Sequence, residues 1–434
     1  MDLALRCSHY IDPVTFELQR DVILLIEKGR IVETIIGGEV SGGLTGLAKE
    51  TLDYEAALVL PGFVNAHCHL DLSHLARQLP SGLSFTEWID CIIEGRKVPA
   101  EQVHAGIEAA CDELLASGTT SVIDVSVDGA SFAPLQKRGI AGAVCLEALG
   151  IDGAKADAAM ERVDAIVRKI EGEAEKFYVV GATYMSPLLR LGFSPHAPYS
   201  TSGELYQHMF GRAVGEGRVL TTHVAESIDE QQFFRIAQGP IRDFYERRKI
   251  PLAGFTGYDQ SPITEILWEW FAPWLSVEQP NSRLVLVHCN YPQGPDLDHL
   301  ARFKPSIVYC PRSHAYFGHE EYPLGDLLKT GANLCLGTDS LASNDSLSML
   351  DELRAARAAH PALDAATLFK MATVNGRKAL DIAPDTADLV VLGIPANVGA
   401  TYMSPLPDML DAVLKQRAPI YSVIQRGRIA ARAV

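Results

Sequence analysis

A chain of 434 residues that is 47% hydrophobic and 21% charged is long enough to bury a large core, and it suits one big α/β domain with a smaller companion. Its formal net charge of −16 argues against a nucleic acid polymer or an anionic membrane surface as main partner, because both select clustered Lys and Arg. A small molecule fits that balance better.

The first sixty or so residues read as short strands: LALRCSHYI, then DVILLIEKGRIVETI with a glycine turn, a Gly-rich link, and EAALVLPGFV. The opening MDLALRCSHYIDPVTFELQRD places charges too early for a signal-peptide core, and no apolar run approaches about eighteen residues, so a cytoplasmic protein is expected. Helical patterns then alternate with buried strands. VHAGIEAACDELLASG precedes TTSVIDVSV, and ELYQHMFGRAVGEG precedes RVLTTHVAE. Helix, glycine stop, apolar strand and polar strand end, repeated in series, favour a parallel (β/α)8 barrel. An open doubly wound sheet is the competitor, weakened because no GxGxxG opens a helix. Ile250 to Pro280, carrying Trp268, Trp270 and Trp274, reads as an insertion or extended loop. ADLVVLGIP and APIYSVIQRGRIAARAV return to hairpin character. The expected division is therefore a β domain built from 1–60 and 385–434 around a barrel at 61–384. The eight cysteines are scattered singly without a CxxC pair, as expected of reduced thiols.

Six polar residues sit at the ends of strand-like runs. His67 and His69 are two apart after an apolar run, and in an extended strand such residues point to one side, so both imidazoles can reach one metal ion. His196 follows LGFSP, His223 follows RVLTT, His288 follows RLVLV and Asp339 follows ANLCLGT, the strand ends where barrel enzymes place chemistry. Each alone reads more readily as a satisfied buried polar group; together they are hard to attribute to coincidence. His67, His69, His223 and Asp339 would hold a borderline divalent metal such as zinc or ferrous iron, whose water ionises near neutral pH. Glu226, three residues beyond His223, is placed to carry protons in the same pocket, its alternative being a glutamate at a helix start.

VNAHCHLDLS, SPHAPYS, THVAES, VHCN, CPRSHAYFG and LGTDSLAS occur in the order seen in the amidohydrolase superfamily, and the set resembles its branch of metal-dependent deaminases and chlorohydrolases, which includes cytosine, guanine and S-adenosylhomocysteine deaminases. The resemblance implies a distorted TIM barrel with a small β-sandwich from both chain ends. It also implies one metal, zinc first and iron second, on His67, His69, His223 and Asp339, with Glu226, His288 and Asp339 as the catalytic groups. Binuclear branches need a modified lysine near the fourth barrel strand, and LGFSPHAPYS has none. The implied reaction is hydrolytic removal of ammonia from an aminated purine-type heterocycle or nucleoside. Glu226 would take the water proton and hand it to a ring nitrogen, while Asp339 and His288 orient and deprotonate the hydroxide. A chlorohydrolase or guanidine-type hydrolase on the same scaffold is the nearest alternative, and a catalytically silent binding protein a more distant one. Relatives often form dimers, which leaves a homodimer open.

Substrate choice would lie in the departures. The HxHL-acid-LS start followed by FTEWIDCIIEGRK looks most like a subgroup that includes 6-aminodeoxyfutalosine deaminases. Trp88 could stack on a purine-like ring and Arg96 could pair with a carboxylate; otherwise they are a core residue and a solvated one. His196 could meet a ribose hydroxyl or the ring edge. CPRSHAYFGHEEYPL adds Arg312, His314, Tyr316 and His319 to an expected pocket wall, and His314, where relatives usually carry a Ser-Asn type sequence, could add a donor or crowd the metal.

Overall fold

The computed structural model of the protein describes residues 1–37, 44, 46–178, 189–394 and 405–432. The Gly-rich link expected after the third strand lies largely outside them. Strand β1 (Leu3–Ile11) pairs antiparallel with β2 (Leu18–Glu27), β2 with β3 (Arg30–Ile36), and β1 runs parallel to β4 (Glu50–Pro61). Alternation along β1 and β2 puts Leu3, Leu5 and Cys7 with Val22, Leu24 and Ile26 in one cluster.

Beyond Gly62 the chain enters the barrel: β5 (Phe63–Cys68), β6 (Thr119–Ser126), β7 (Ala141–Ala148), β8 (Leu189–Pro195), β9 (Leu220–Val224), β10 (Leu284–His288), β11 (Ser306–Tyr309) and β12 (Asn333–Leu336). Each pairs parallel with the next in sequence. The ring closes where the amides of Thr338 and Asp339 donate to the His67 carbonyl at 3.1 and 3.0 Å. Val64, Ala66, Ile123, Ala143, Cys145, Val285, Val287, Val308 and Cys335 fill it, small or branched side chains from successive strands. Helices such as Ala100–Ala116 and Gly203–Glu216 link the strands; the latter starts on the Ser202 cap and ends on Gly217 at φ +62°.

After the barrel, β13 (Leu389–Gly393) pairs with β4, β14 (Ile420–Gln425) with β13 and β15 (Arg428–Arg432) with β14. Both chain ends thus build one sheet, ordered β15-β14-β13-β4-β1-β2-β3, beside a distorted (β/α)8 barrel.

One expectation needs correction. The Ile250 to Pro280 segment is not simply an extended loop, because Pro262–Thr264, Glu265–Trp270 and Ala272–Trp274 form successive helical turns started by the Ser261 hydroxyl, which accepts the Ile263 amide at 3.2 Å. Ile263, Ile266, Leu267 and Trp270 recur at helical spacing and are buried, with Trp270 centred 4.7 Å from Tyr206. Trp268 and Trp274 stay 43% and 40% exposed, so the three tryptophans do not act alike. Among the described residues no helix is long and apolar enough to cross a membrane.

Candidate active site

The C-terminal ends of β5, β9, β10 and β12 converge on one buried cluster. His67 is fully buried, and His69, His223, Glu226, His288 and Asp339 are each at most 8% exposed. His67 Nε2 lies 3.7 Å and His69 Nε2 3.9 Å from Asp339 Oδ1, and the Nε2 atoms of His69 and His223 are 3.1 Å apart. His67, His223 and His288 also bring one nitrogen each within 4.8 Å of one another, as do the donor atoms of Glu226, His288 and Asp339. One ion with bonds of about 2 Å can span the 3.1, 3.7 and 3.9 Å separations among His67, His69, His223 and Asp339.

The hydrogen bonds fit that donor set. The Nδ1 of His223 donates to the His196 carbonyl at 2.7 Å, so its Nε2 lone pair faces the cluster. Both ring nitrogens of His67 and Nε2 of His288 are buried without a hydrogen-bond partner, a costly arrangement that a divalent cation would relieve. Asp339 sits at φ +59° and His288 at φ +74°, left-handed conformations that side chains rarely adopt and that direct both groups inward. Ser313 and Ser343 donate to Asp339 Oδ2 at 2.7 and 3.2 Å, and the Ser340 amide donates to Oδ1 at 2.7 Å.

Burial pushes the Asp339 carboxyl up, but the imidazoles of His67, His288 and His69 that face it hold it well below the usual range. Glu226 behaves oppositely: burial, then the charges of Asp339 and Glu230, push it well above its ordinary value. The two carboxyls are thus shifted in opposite directions within one pocket, and Glu226 Oε1 is 3.5 Å from His288 Nε2.

Glu230, which sequence reasoning missed, fixes the Glu226 main chain. Its carboxylate accepts the Ala225 amide at 3.0 Å and the Glu226 amide at 2.8 Å, while Asn290 donates to the Glu226 carbonyl at 2.8 Å. Asp124 was missed as well. It accepts the Leu70 amide at 2.8 Å just beyond His69, and its only sequence signal was its place near the end of an apolar strand.

The residues expected at the pocket wall are dispersed. His196 joins the cluster edge, its ring centred 5.1 Å from that of His223. Its Nδ1 contacts Ser200 Oγ at 2.6 Å, and because that hydroxyl donates to the Ala197 carbonyl, Nδ1 carries the proton. Burial lowers the His196 pKa to about 4. Glu147, also missed, brings a carboxylate oxygen within 4.8 Å of donor nitrogens of His196 and His223; burial pushes it up to about 7. Trp88 lies on the helix Phe85–Gly95, donates its indole N–H to the Ala342 carbonyl at 3.3 Å and packs edge-on to Phe317 at 5.2 Å. Arg96 is paired with buried Asp71 at 2.9 Å, so its charge is already met within the chain. Arg312 pairs with Asp345 and leaves Nη1 buried without a partner. His314 packs on His319, Tyr322 and Tyr309 at 5.2, 5.7 and 5.8 Å. Among the described contacts none brings it against His67, His69, His223 or Asp339.

Residues 58–409 match the amidohydrolase family. The chain is 27% identical over 370 residues to a 5-methylthioadenosine/S-adenosylhomocysteine deaminase of Thermococcus sibiricus, covering 83% of this chain and 78% of that one. It is 30% identical over 334 residues to an aminodeoxyfutalosine deaminase of Deinococcus radiodurans, covering 74% and 73%. In fold it resembles the Helicobacter pylori aminofutalosine deaminase crystallised with methylthio-coformycin, with a TM-score of 0.80 at 22% identity over 99% of this chain and 100% of that one.

Proposed function

We propose, from the premise that this chain belongs to the amidohydrolase family, that it is a metal-dependent aminohydrolase that removes ammonia from an adenine nucleoside. The observation that carries the reading is the convergence of the His67 and His288 nitrogens, which have no hydrogen-bond partner, with Asp339 and with Glu226, whose carboxyl burial pushes well above its ordinary value. Relatives named for methylthioadenosine, S-adenosylhomocysteine and aminodeoxyfutalosine support the substrate class, since all three are adenine nucleosides altered at the 5′ carbon. We assign His67, His69, His223 and Asp339 as ligands of one zinc ion. Barrel strand four, LRLGFSP, offers no lysine to bridge a second ion.

A divalent cation held there would polarise a water and supply a nucleophile at neutral pH. Glu226 delivers a proton to the ring nitrogen beside the amine-bearing carbon, which weakens the aromatic amidine and opens that carbon to attack. His288 and Asp339 fix the attacking water by hydrogen bonds; of the two protons the water gives up, one passes through these groups to the leaving amine and the other returns Glu226 to its starting state. The C–O bond forms, the C–N bond breaks and ammonia departs. His196, with its proton held on Nδ1, offers Nε2 as an acceptor to the bound nucleoside. The eight free thiols support a reducing, cytoplasmic setting, and we take a homodimer as the working assembly.

The test is ammonia release by zinc-loaded protein from methylthioadenosine, S-adenosylhomocysteine, aminodeoxyfutalosine, guanine and cytosine, with Glu226→Gln as control. Release from the nucleosides that the control abolishes, with zinc still bound, is the expected result. Silence across the panel with zinc bound would overturn the reading.

A further inference from the structure

The segment that follows β11, expected at the pocket wall through His314, Tyr316 and His319, reaches the cluster through Tyr322, whose hydroxyl donates to the His288 carbonyl at 2.9 Å. We propose that Tyr322 is a positioning residue for His288: it fixes the main chain from which that imidazole projects and so sets the aim of the ring at the attacking water. The inference rests on the function proposed above.

His288 needs such support. It closes β10 at φ +74°, a left-handed conformation that costs free energy and persists only where its surroundings over-determine it. Where a strand leaves the extended path, a carbonyl must find its donor outside the ladder or stay unmet, and an unmet buried carbonyl is costly. On the side of β9 the turn is already anchored, since the amides of Cys289 and Asn290 donate to the Val224 and Ala225 carbonyls at 3.0 Å each. Tyr322 holds it from the side of β11. The imidazole has no tether of this kind at its working end: Nε2 is without a hydrogen-bond partner and lies 3.5 Å from Glu226 Oε1. Its aim is therefore set from the main chain.

Tyr322 is itself seated firmly. It is 3% exposed, its ring stacks on that of Tyr309 in β11 at 3.8 Å and 11°, and His314 meets it edge-on at 5.7 Å. Burial pushes its phenol well above the usual range, so the hydroxyl keeps its proton and stays a donor. Earlier in the same segment His319 Nδ1 meets the Tyr291 hydroxyl at 3.1 Å, and the Glu320 amide donates to that hydroxyl at 3.5 Å. The segment thus grips the end of β10 at two points, His288 and Tyr291. Loss of the Tyr322 bond leaves substrate contacts made elsewhere in place and displaces a group that acts on the water, so it lowers kcat rather than raising KM.

The test is Tyr322→Phe in zinc-loaded protein, a change that removes one oxygen from a ring that stays stacked. The first readout needs no turnover. In protein isotope-labelled at histidine Cε1, the magnetic resonance signal of His288, assigned through His288→Gln, shifts in Tyr322→Phe by more than those of His67, His69 and His223, and bound zinc per chain is unchanged. The second readout is ammonia release from methylthioadenosine: kcat falls by about 10–100-fold with KM little changed, and Tyr322→Phe adds no further loss in a His288→Gln background. An unmoved His288 signal, a lower Tm with full kcat, or the same loss of kcat with and without the His288 imidazole would overturn the proposal. A shifted His288 signal in protein whose wild type releases ammonia from no compound of the panel supports the positioning role and counts against the function proposed above.

Discussion

Glu226 owes its position to a residue that touches no reacting atom. The two oxygens of Glu230 hold consecutive amides, those of Ala225 at φ +51° and of Glu226, so they clamp the turn from which the Glu226 carboxyl projects. In Glu230→Gln one oxygen becomes an NH2 group and one buried amide loses its acceptor, at a cost of about 1–3 kcal/mol. The substitution also removes a charge that, after burial and Asp339, raises the Glu226 pKa. Glu226 should therefore lose its proton at lower pH. The limb of the pH–rate profile that needs protonated Glu226 should move toward acid and kcat should fall; a lower Tm with an unmoved limb would mean that Glu230 only supports the fold. Asp339→Asn should cost zinc, measured as bound metal per chain, whereas Glu226→Gln should keep it. The histidines and Asp339 were legible because each closes an apolar run, a pattern of residue types. Glu230 and Asp124 were not, since Glu230 holds the Ala225 and Glu226 amides and Asp124 the Leu70 amide and the Ser131 hydroxyl, partners that only the folded chain brings to them.

At the scale of elements, the approach of β12 to β5 sets the distance between the two halves of the cluster. A Cβ on Gly337 would lie 2.9 Å from the Cβ, N and O of His67, closer than non-bonded atoms approach. Gly337→Ala should push the strands apart, destabilise the protein by roughly 1–3 kcal/mol in denaturant melts, and weaken zinc retention more than a substitution on an outer helix. Strands were readable where periodicity was strong. LALRCSHYI is β1 as expected, and TTSVIDVS is β6. The Ile250 to Pro280 segment misled because its prolines signal a loop while the Ile263, Ile266, Leu267 and Trp270 stripe signals a helix, and burial of that stripe prevailed.

Across the whole molecule, buried carboxyls give stability a definite pH slope. Burial lifts Asp124 and Glu352 to about 8 and Glu147 and Glu230 to about 7. Over that interval the folded chain keeps protons that the unfolded chain has released, so stability falls as pH rises through these values. His196, His314 and His319, each lowered to about 4 chiefly by burial, act in the opposite sense, but their contribution is complete by the ordinary histidine value of about 6.5. Metal-free protein should therefore lose stability between about pH 6.5 and 8 in chemical denaturation; a flat or rising curve would contradict the assignment. The seam between β12 and β5 sets a limit of another kind, on the order of assembly. The Asn65 side chain donates to Thr338 Oγ1 at 2.7 Å across 273 positions of sequence, so the ring cannot shut until most of the chain has left the ribosome. A nascent chain that stops short of β12 carries every imidazole of the cluster and lacks its carboxylate. The last barrel strand is therefore the point at which synthesis completes the proposed metal centre.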